Sequence, residues 1–153
     1  MRSVYVASAL ENAATARAVA EYFVRCGWDW TYDWTGHGSV QLLGPARIAQ
    51  VARSEADGVV AAGCVVALLP GGRGTHAEIG IGIGARKPVL VVAANRGDLC
   101  DAGGRECAFY HHSLVHRLVL NTTTMAIALE RGLASLIEEQ ARTWMDLVTS
   151  RER

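Results

Sequence analysis

The chain has 153 residues, half of them apolar, enough for the core of one domain with no room for a second. Fifteen basic residues balance fifteen acidic ones, so the chain lacks the electrostatic footprint of a nucleic-acid binder. No apolar run nears the roughly 18 residues of a membrane span, and Met1-Arg2-Ser3 leads into strand-forming sequence without a signal-peptide core, so a cytoplasmic protein acting on a small molecule is expected.

Val4 to Ala7 reads as a first strand, with Ser8 to Asn12 as the loop at its carboxyl end. Ala16, Val19, Ala20, Phe23 and Val24 recur at helical spacing between Ala13 and Cys26, and Gly27 supplies the stop. From Trp28 to Trp34 aromatic and polar residues alternate with period two, the pattern of a half-buried second strand. Gly36-His37-Gly38-Ser39 follows as a loop suited to a lid or a selectivity segment. Pro45 to Ala62 is the second helix, with apolar positions at Ile48, Val51, Ala52, Val59 and Val60 and a local weakness at Gly58. Cys64 to Leu69 and Pro88 to Ala93 are unbroken apolar runs, as expected of strands covered on both faces. Asn95 to Gly104 is a polar loop and Leu118 to Leu120 a fifth strand. Asn121-Thr122-Thr123-Thr124 caps a last helix carrying Met125, Ala128, Leu129, Leu133, Leu136 and Ile137. The alternation predicts an α/β domain over residues 1–149: a single doubly wound, flavodoxin- or Rossmann-like, mostly parallel five-stranded sheet with helices on both faces. A charged tail from Ser150 to Arg153 is expected to fray. Cys26, Cys64, Cys100 and Cys107 include no C-x-x-C pair and are expected to be reduced.

Open sheets of this kind bind ligands beyond the carboxyl ends of their strands. The third strand ends in the most informative stretch of the chain, Pro70-Gly71-Gly72-Arg73-Gly74-Thr75-His76-Ala77-Glu78. Glycines at 71, 72 and 74 let a ligand lie against bare backbone, and the start of the following helix presents unpaired N–H groups to something anionic or polar. Thr75 is the natural N-cap, with Glu78 three residues later, where the helix dipole favours an ionised carboxylate that can act as a nucleophile. The same four residues fit a capping box in which Glu78 does no chemistry. Gly72 to Ala77 also match G-x-G-x-x-A, but no acidic residue sits about 20 residues further on, as dinucleotide binding would require. Further on, Gly80, Gly82 and Gly84 each cost a helix about 1 kcal/mol, which predicts a close contact there, with a neighbouring helix of this chain or another subunit.

Pro70 to Glu78, continuing through Gly80 and Arg86-Lys87-Pro88-Val89, resembles the signature of the nucleoside 2-deoxyribosyltransferase family. Its P-G-G-x-G-T-x-x-E core is also similar to that of the phosphoribohydrolases that cleave nucleoside monophosphates. The resemblance implies cleavage of an N-glycosidic bond, with Glu78 as the nucleophile at C1′ and transfer of the deoxyribosyl group to another base. In the hydrolase alternative a nucleoside 5′-monophosphate passes its sugar to water. Tyr5 would line the site beside Glu78, and the second carboxylate would be Glu55 or, two residues on, Asp57. Ser8 and the turn residues Gly71, Gly72, Arg73, Gly74, Thr75 and His76 would bind substrate, Trp34 would stack on the base, and Asn121 would reach the sugar end from a neighbouring subunit. That last role implies a homodimer or higher homo-oligomer with shared sites. No cofactor and no metal belong to this chemistry; Cys107, His111, His112 and His116 have no standard zinc spacing. The first loop carries Glu11 where a 5′-phosphate would need a cation, pointing to a free nucleoside, whereas Arg73 favours a phosphate. Departures from the family pattern at Glu55 and Gly63 leave a third reading, a nucleotide-binding sensor without turnover.

Overall fold

The computed structural model describes residues 2–151. Its strands are β1 (Ser3–Ser8), β2 (Asp29–Trp30), β3 (Cys64–Leu68), β4 (Val89–Ala93) and β5 (Val115–Val119), all parallel and in the order β2-β1-β3-β4-β5. Every residue of β3 and β4 is buried, because a strand with neighbours on both edges and helices on both faces has no wet side. Helix α1 (Ala13–Arg25) packs on β1 and against the C-terminal helix, while α2 (Pro45–Ala61) and α3 (Arg73–Gly84) pack on each other and on β1 from the other side. The doubly wound α/β architecture expected from the sequence is therefore the one present.

The C-terminal segment is two helices, α4 (Thr122–Arg131) and α5 (Leu133–Arg151), where the sequence suggested one. Gly132 separates them at φ +90°, a conformation that ends a helix and that other residues rarely adopt. Ser150 and Arg151 of the expected tail belong to α5, and residues 152–153 lie outside the described residues.

β2 is shorter than the aromatic alternation predicts. Thr31 N still donates to Val4 O at 3.1 Å, but beyond it side chains replace the ladder: Thr31 Oγ1 donates to Gly58 O at 2.8 Å and Trp34 Nε1 to Val6 O at 2.7 Å. The chain swings away from the sheet while the tryptophan stays buried in it.

Gly58 makes that arrangement fit. A Cβ there would lie 2.7 Å from Tyr32 Cβ and 3.2 Å from the Tyr5 ring, so α2 reaches β1 this closely only because the position carries no side chain. Gly58→Ala gains about 1 kcal/mol of helix propensity but forces Tyr32 Cβ and the Tyr5 ring to give way, a strain of about 1–3 kcal/mol. Thermal denaturation should show a lower Tm; an unchanged or higher one would mean that α2 moves freely off the sheet. Gly82 plays the same part in α3, where a Cβ would meet Val65 Cγ2 at 3.1 Å. Gly80 and Gly84 have nothing within 4 Å, so the close contact predicted for this glycine row is with the sheet, at one position.

Candidate active site

The strand order changes direction at the β1–β3 pair, and ligands of doubly wound sheets sit beyond the carboxyl ends at such a point. Ser8 ends β1 with its hydroxyl donating to Leu68 O at 2.9 Å, so the two strand ends are tied together where the glycine turn begins. Helix α3 starts at Arg73 with Gly72 as its cap, three residues before the expected cap at Thr75. Thr75 is accordingly the third residue of the helix and Glu78 the sixth, and the Thr75–Glu78 capping box does not form. Moving the helix start turns Glu78 inward, onto the sheet.

Glu78 is 7% exposed and accepts a hydrogen bond from Tyr5 Oη at 2.5 Å on Oε1. Tyr5, the third residue of β1, is itself fully buried. Burial pushes the Glu78 carboxyl up to about 8; the Tyr5 hydrogen bond opposes that rise and the charge of Glu55 adds to it. The Tyr5 phenol is driven far above its ordinary value by burial first and by Glu78 second, so it stays a donor at every relevant pH. Replacing Tyr5 by Phe removes the one contact that favours the ionised carboxylate. On any substrate the protein turns over, kcat/KM at pH 7 is expected to fall about 10- to 100-fold and to recover partly by pH 9, since a lost charge-assisted bond of about 1.5–3 kcal/mol appears as a raised carboxyl pKa. A pH-rate profile with an unmoved acid limb would refute the coupling.

The Glu78 carboxyl opens on a cavity of about 350 Å³. α2 supplies one wall, with Ile48, Val51, Ala52 and Glu55 at spacings of three, one and three residues, a single helix face. Ser8, Trp34, Gly74 and Thr75 add the strand ends and the start of α3, and residues 37–41 form the rim. Glu55 is half-buried, and desolvation raises its pKa while His37 pulls the other way. Asp57, two residues further along α2, is exposed and does not line the cavity. Thr75 is 1% exposed with its Oγ1 unpaired, and it packs over Gly71, where a Cβ would lie 2.6 Å from Thr75 Cγ2.

The other expected site residues lie elsewhere. Gly71 and His76 line a different cavity of about 490 Å³, under residues 98–110. His76 Nδ1 is 2.8 Å from Gly72 O and donates to it, and Nε2 pairs with Tyr110 Oη at 2.7 Å. That bond staples α3 to the turn Ala108–His111. Gly72 and Arg73 are exposed at the start of α3 and line neither cavity. Asn121 is exposed as the N-cap of α4, in a reciprocal pair with Thr124. All four cysteines are free, and among the described residues no group of three or more His, Cys, Asp or Glu side chains is placed to hold a metal ion.

His37, Gly38 and Ser39 of the loop expected as a lid or selectivity segment lie on the rim; the cavity also contains residues given no site role from the sequence, Gln41 on the rim and Ile48, Val51 and Ala52 on α2. The helical ones were accessible in principle, since counting back from Glu55 by helical spacing reaches all three.

No protein-family model matches the sequence, and no curated protein matches it. Solved structures do share the fold. The CMP N-glycosidase BcmB of Clostridium botulinum is similar with a TM-score of 0.55 at 15% identity, covering 85% of this chain and 99% of its own. A conserved protein of Enterococcus faecalis V583 is similar with a TM-score of 0.52 at 20% identity, covering 92% of this chain and 99% of its own.

Proposed function

We propose that the chain cleaves the N-glycosidic bond of a nucleoside or nucleotide, with Glu78 as the nucleophile. The observation that carries this reading is the pair of carboxylates in one cavity: Glu78, buried and hydrogen-bonded by Tyr5, and half-buried Glu55 on the facing helix. Breaking a C1′–N bond leaves a sugar with oxocarbenium character and a basic leaving group. A carboxylate trained on C1′ traps the first, and a second acidic group assists the other. The glycosyl ester on Glu78 then passes its sugar to a second base, as a deoxyribosyltransferase, or to water, as a hydrolase. In either case Glu55 orients the sugar and assists departure of the base, and Trp34 offers an aromatic wall beside it.

Two observations pull apart on the 5′ end of the substrate. Among the described residues no Lys or Arg lines the cavity, which suits a free nucleoside. The similarity to a structure named as a CMP N-glycosidase, and Arg73 at the start of α3, favour a 5′-monophosphate. The test is incubation with a panel of nucleosides and their 5′-monophosphates, with and without an added second base, following free base and new nucleoside by chromatography. New nucleoside formed only with the second base supports transfer; free base alone supports hydrolysis. Ligand binding with no base released over hours would replace the enzyme reading by a sensor.

A further inference from the structure

Two polar atoms in residues lining the Glu78 cavity are buried without a hydrogen-bond partner, Thr75 Oγ1 and His37 Nε2. Buried polar atoms are nearly always paired, so two orphans at one cavity mark places that a ligand completes. For His37 the state of the ring follows from its other nitrogen. Nδ1 lies 2.9 Å from Gly38 O, which only accepts, so Nδ1 carries a hydrogen whether the ring is neutral or charged. Nε2 is then the atom that gains or loses the proton, and it is the atom without a partner.

Titratable and charged side chains face this ring from several elements. Glu55 on α2 and Glu78 on α3 line the same cavity, the Tyr32 ring lies 6.4 Å away, and Arg17, beside Gly36, is already paired with Asp33 at 2.9 Å. Attraction between His37 and Glu55 is visible as a downward pull on the Glu55 carboxyl. An imidazole in the wall of a cavity it shares with two carboxyl groups, with Nε2 buried and unpaired, has a nitrogen that can take up or give a proton.

Building on the N-glycosidase reading, we propose that His37 is the general acid and base of the reaction and hands its Nε2 proton to the departing nucleobase. In the first step a Glu78 oxygen bonds to C1′ as the C1′–N bond breaks. The electron pair of that bond stays on the base, and the Nε2 proton neutralises it, leaving neutral His37. In the second step Nε2 takes a proton from water, or from the N–H of an incoming base, as that oxygen or nitrogen bonds to C1′ and the ester breaks. Glu78 returns as a carboxylate and His37 as an imidazolium. Glu55 assists by balancing the charge of the ring.

The test compares leaving groups. Each variant is assayed on the nucleoside or nucleotide that the wild-type protein cleaves, and on the 4-nitrophenyl glycoside of the same sugar with the same 5′ group, whose nitrophenolate departs without an acid. His37→Ala and His37→Gln are expected to lose about 10²–10⁴-fold in kcat/KM on the natural substrate while kcat/KM on the nitrophenyl glycoside, which reports departure of the leaving group and not the shared second step, stays within about threefold. Added imidazole should restore part of the His37→Ala activity on the natural substrate alone. Thermal denaturation identifies which variants are folded, and either suffices. Equal losses on both substrates would mean a structural role and overturn the proposal, as would full activity of either variant on the natural substrate. If Glu78→Gln abolishes both activities while the His37 variants keep both, the nucleophile stands and the acid falls. If the wild-type protein cleaves neither substrate, the two readings fall together.

Discussion

Glu78→Gln should abolish turnover, by about 10³-fold or more, which corresponds to about 4 kcal/mol of transition-state stabilisation. Glutamine keeps the volume of the side chain and still offers an oxygen to Tyr5 Oη, so the fully buried Tyr5 and the surrounding core have no reason to move. The loss is therefore chemical. An amide oxygen is a poor nucleophile at C1′ and a poor counter-charge for the sugar cation that develops. Substrate binding is a separate measurement, and the dissociation constant should stay close to wild type while kcat collapses. A second readout is covalent: a 2-fluoro-substituted nucleoside slows the oxocarbenium-like steps and should leave the sugar on the wild-type protein. Peptide mass spectrometry would place that mass on the peptide containing Glu78, and the glutamine variant should carry none. Residual activity above a tenth of wild type would reassign the nucleophile.

The sequence made the sheet legible because burial dictates composition: β3 and β4 are apolar at every position, and no other environment demands that. It also placed Glu78 at the right strand end, for a reason that needed correction. The capping logic put Thr75 at the helix start, but Gly72 in an extended conformation begins the helix at Arg73, and a glycine cap leaves no side-chain signature. Where an asparagine cap is expected, at Asn121, the local signal and the structure agree. The aromatic alternation from Trp28 to Trp34 misled because period two reports burial, and Trp34 is buried by an indole hydrogen bond to Val6 O instead of by a ladder. The His76–Tyr110 bond joins residues 34 positions apart through two loops, a pairing that no local pattern encodes. The loop around His37 was legible as a lid or selectivity segment, but nothing in Gly36 to Ser39 tells that its ring lines the same cavity as Glu55 and Glu78.

Stability and activity are expected to run in opposite directions with pH. The Glu78 carboxyl has a folded pKa of about 8 against 4.5 for an ordinary glutamate. A raised folded pKa means that between those values the folded chain holds a proton the unfolded chain has released. The stabilisation is complete below about pH 4.5 and is lost as pH rises through 8. At about 1.4 kcal/mol per pKa unit the ceiling on this contribution is about 5 kcal/mol, and Glu55, also raised by burial, acts with the same sign. Glu78→Gln removes the titration of the buried group and keeps its neutral shape. The variant should match wild type near pH 5 and exceed it at pH 9 by several degrees in Tm, at about 2–4 °C per kcal/mol for a chain of this size. On the proposed mechanism activity moves the other way, because it needs Glu78 ionised: below pH 8 wild-type kcat/KM should fall about tenfold per pH unit. The charge that the proposed chemistry needs is thus the one the fold disfavours, and the Tyr5 hydrogen bond is the contact that opposes that burial. A Tm difference between variant and wild type that stays flat from pH 5 to 9 would show that Glu78 is already ionised in the folded chain. Burial would then cost it nothing measurable, and the acid limb of the rate profile would have to belong to another group.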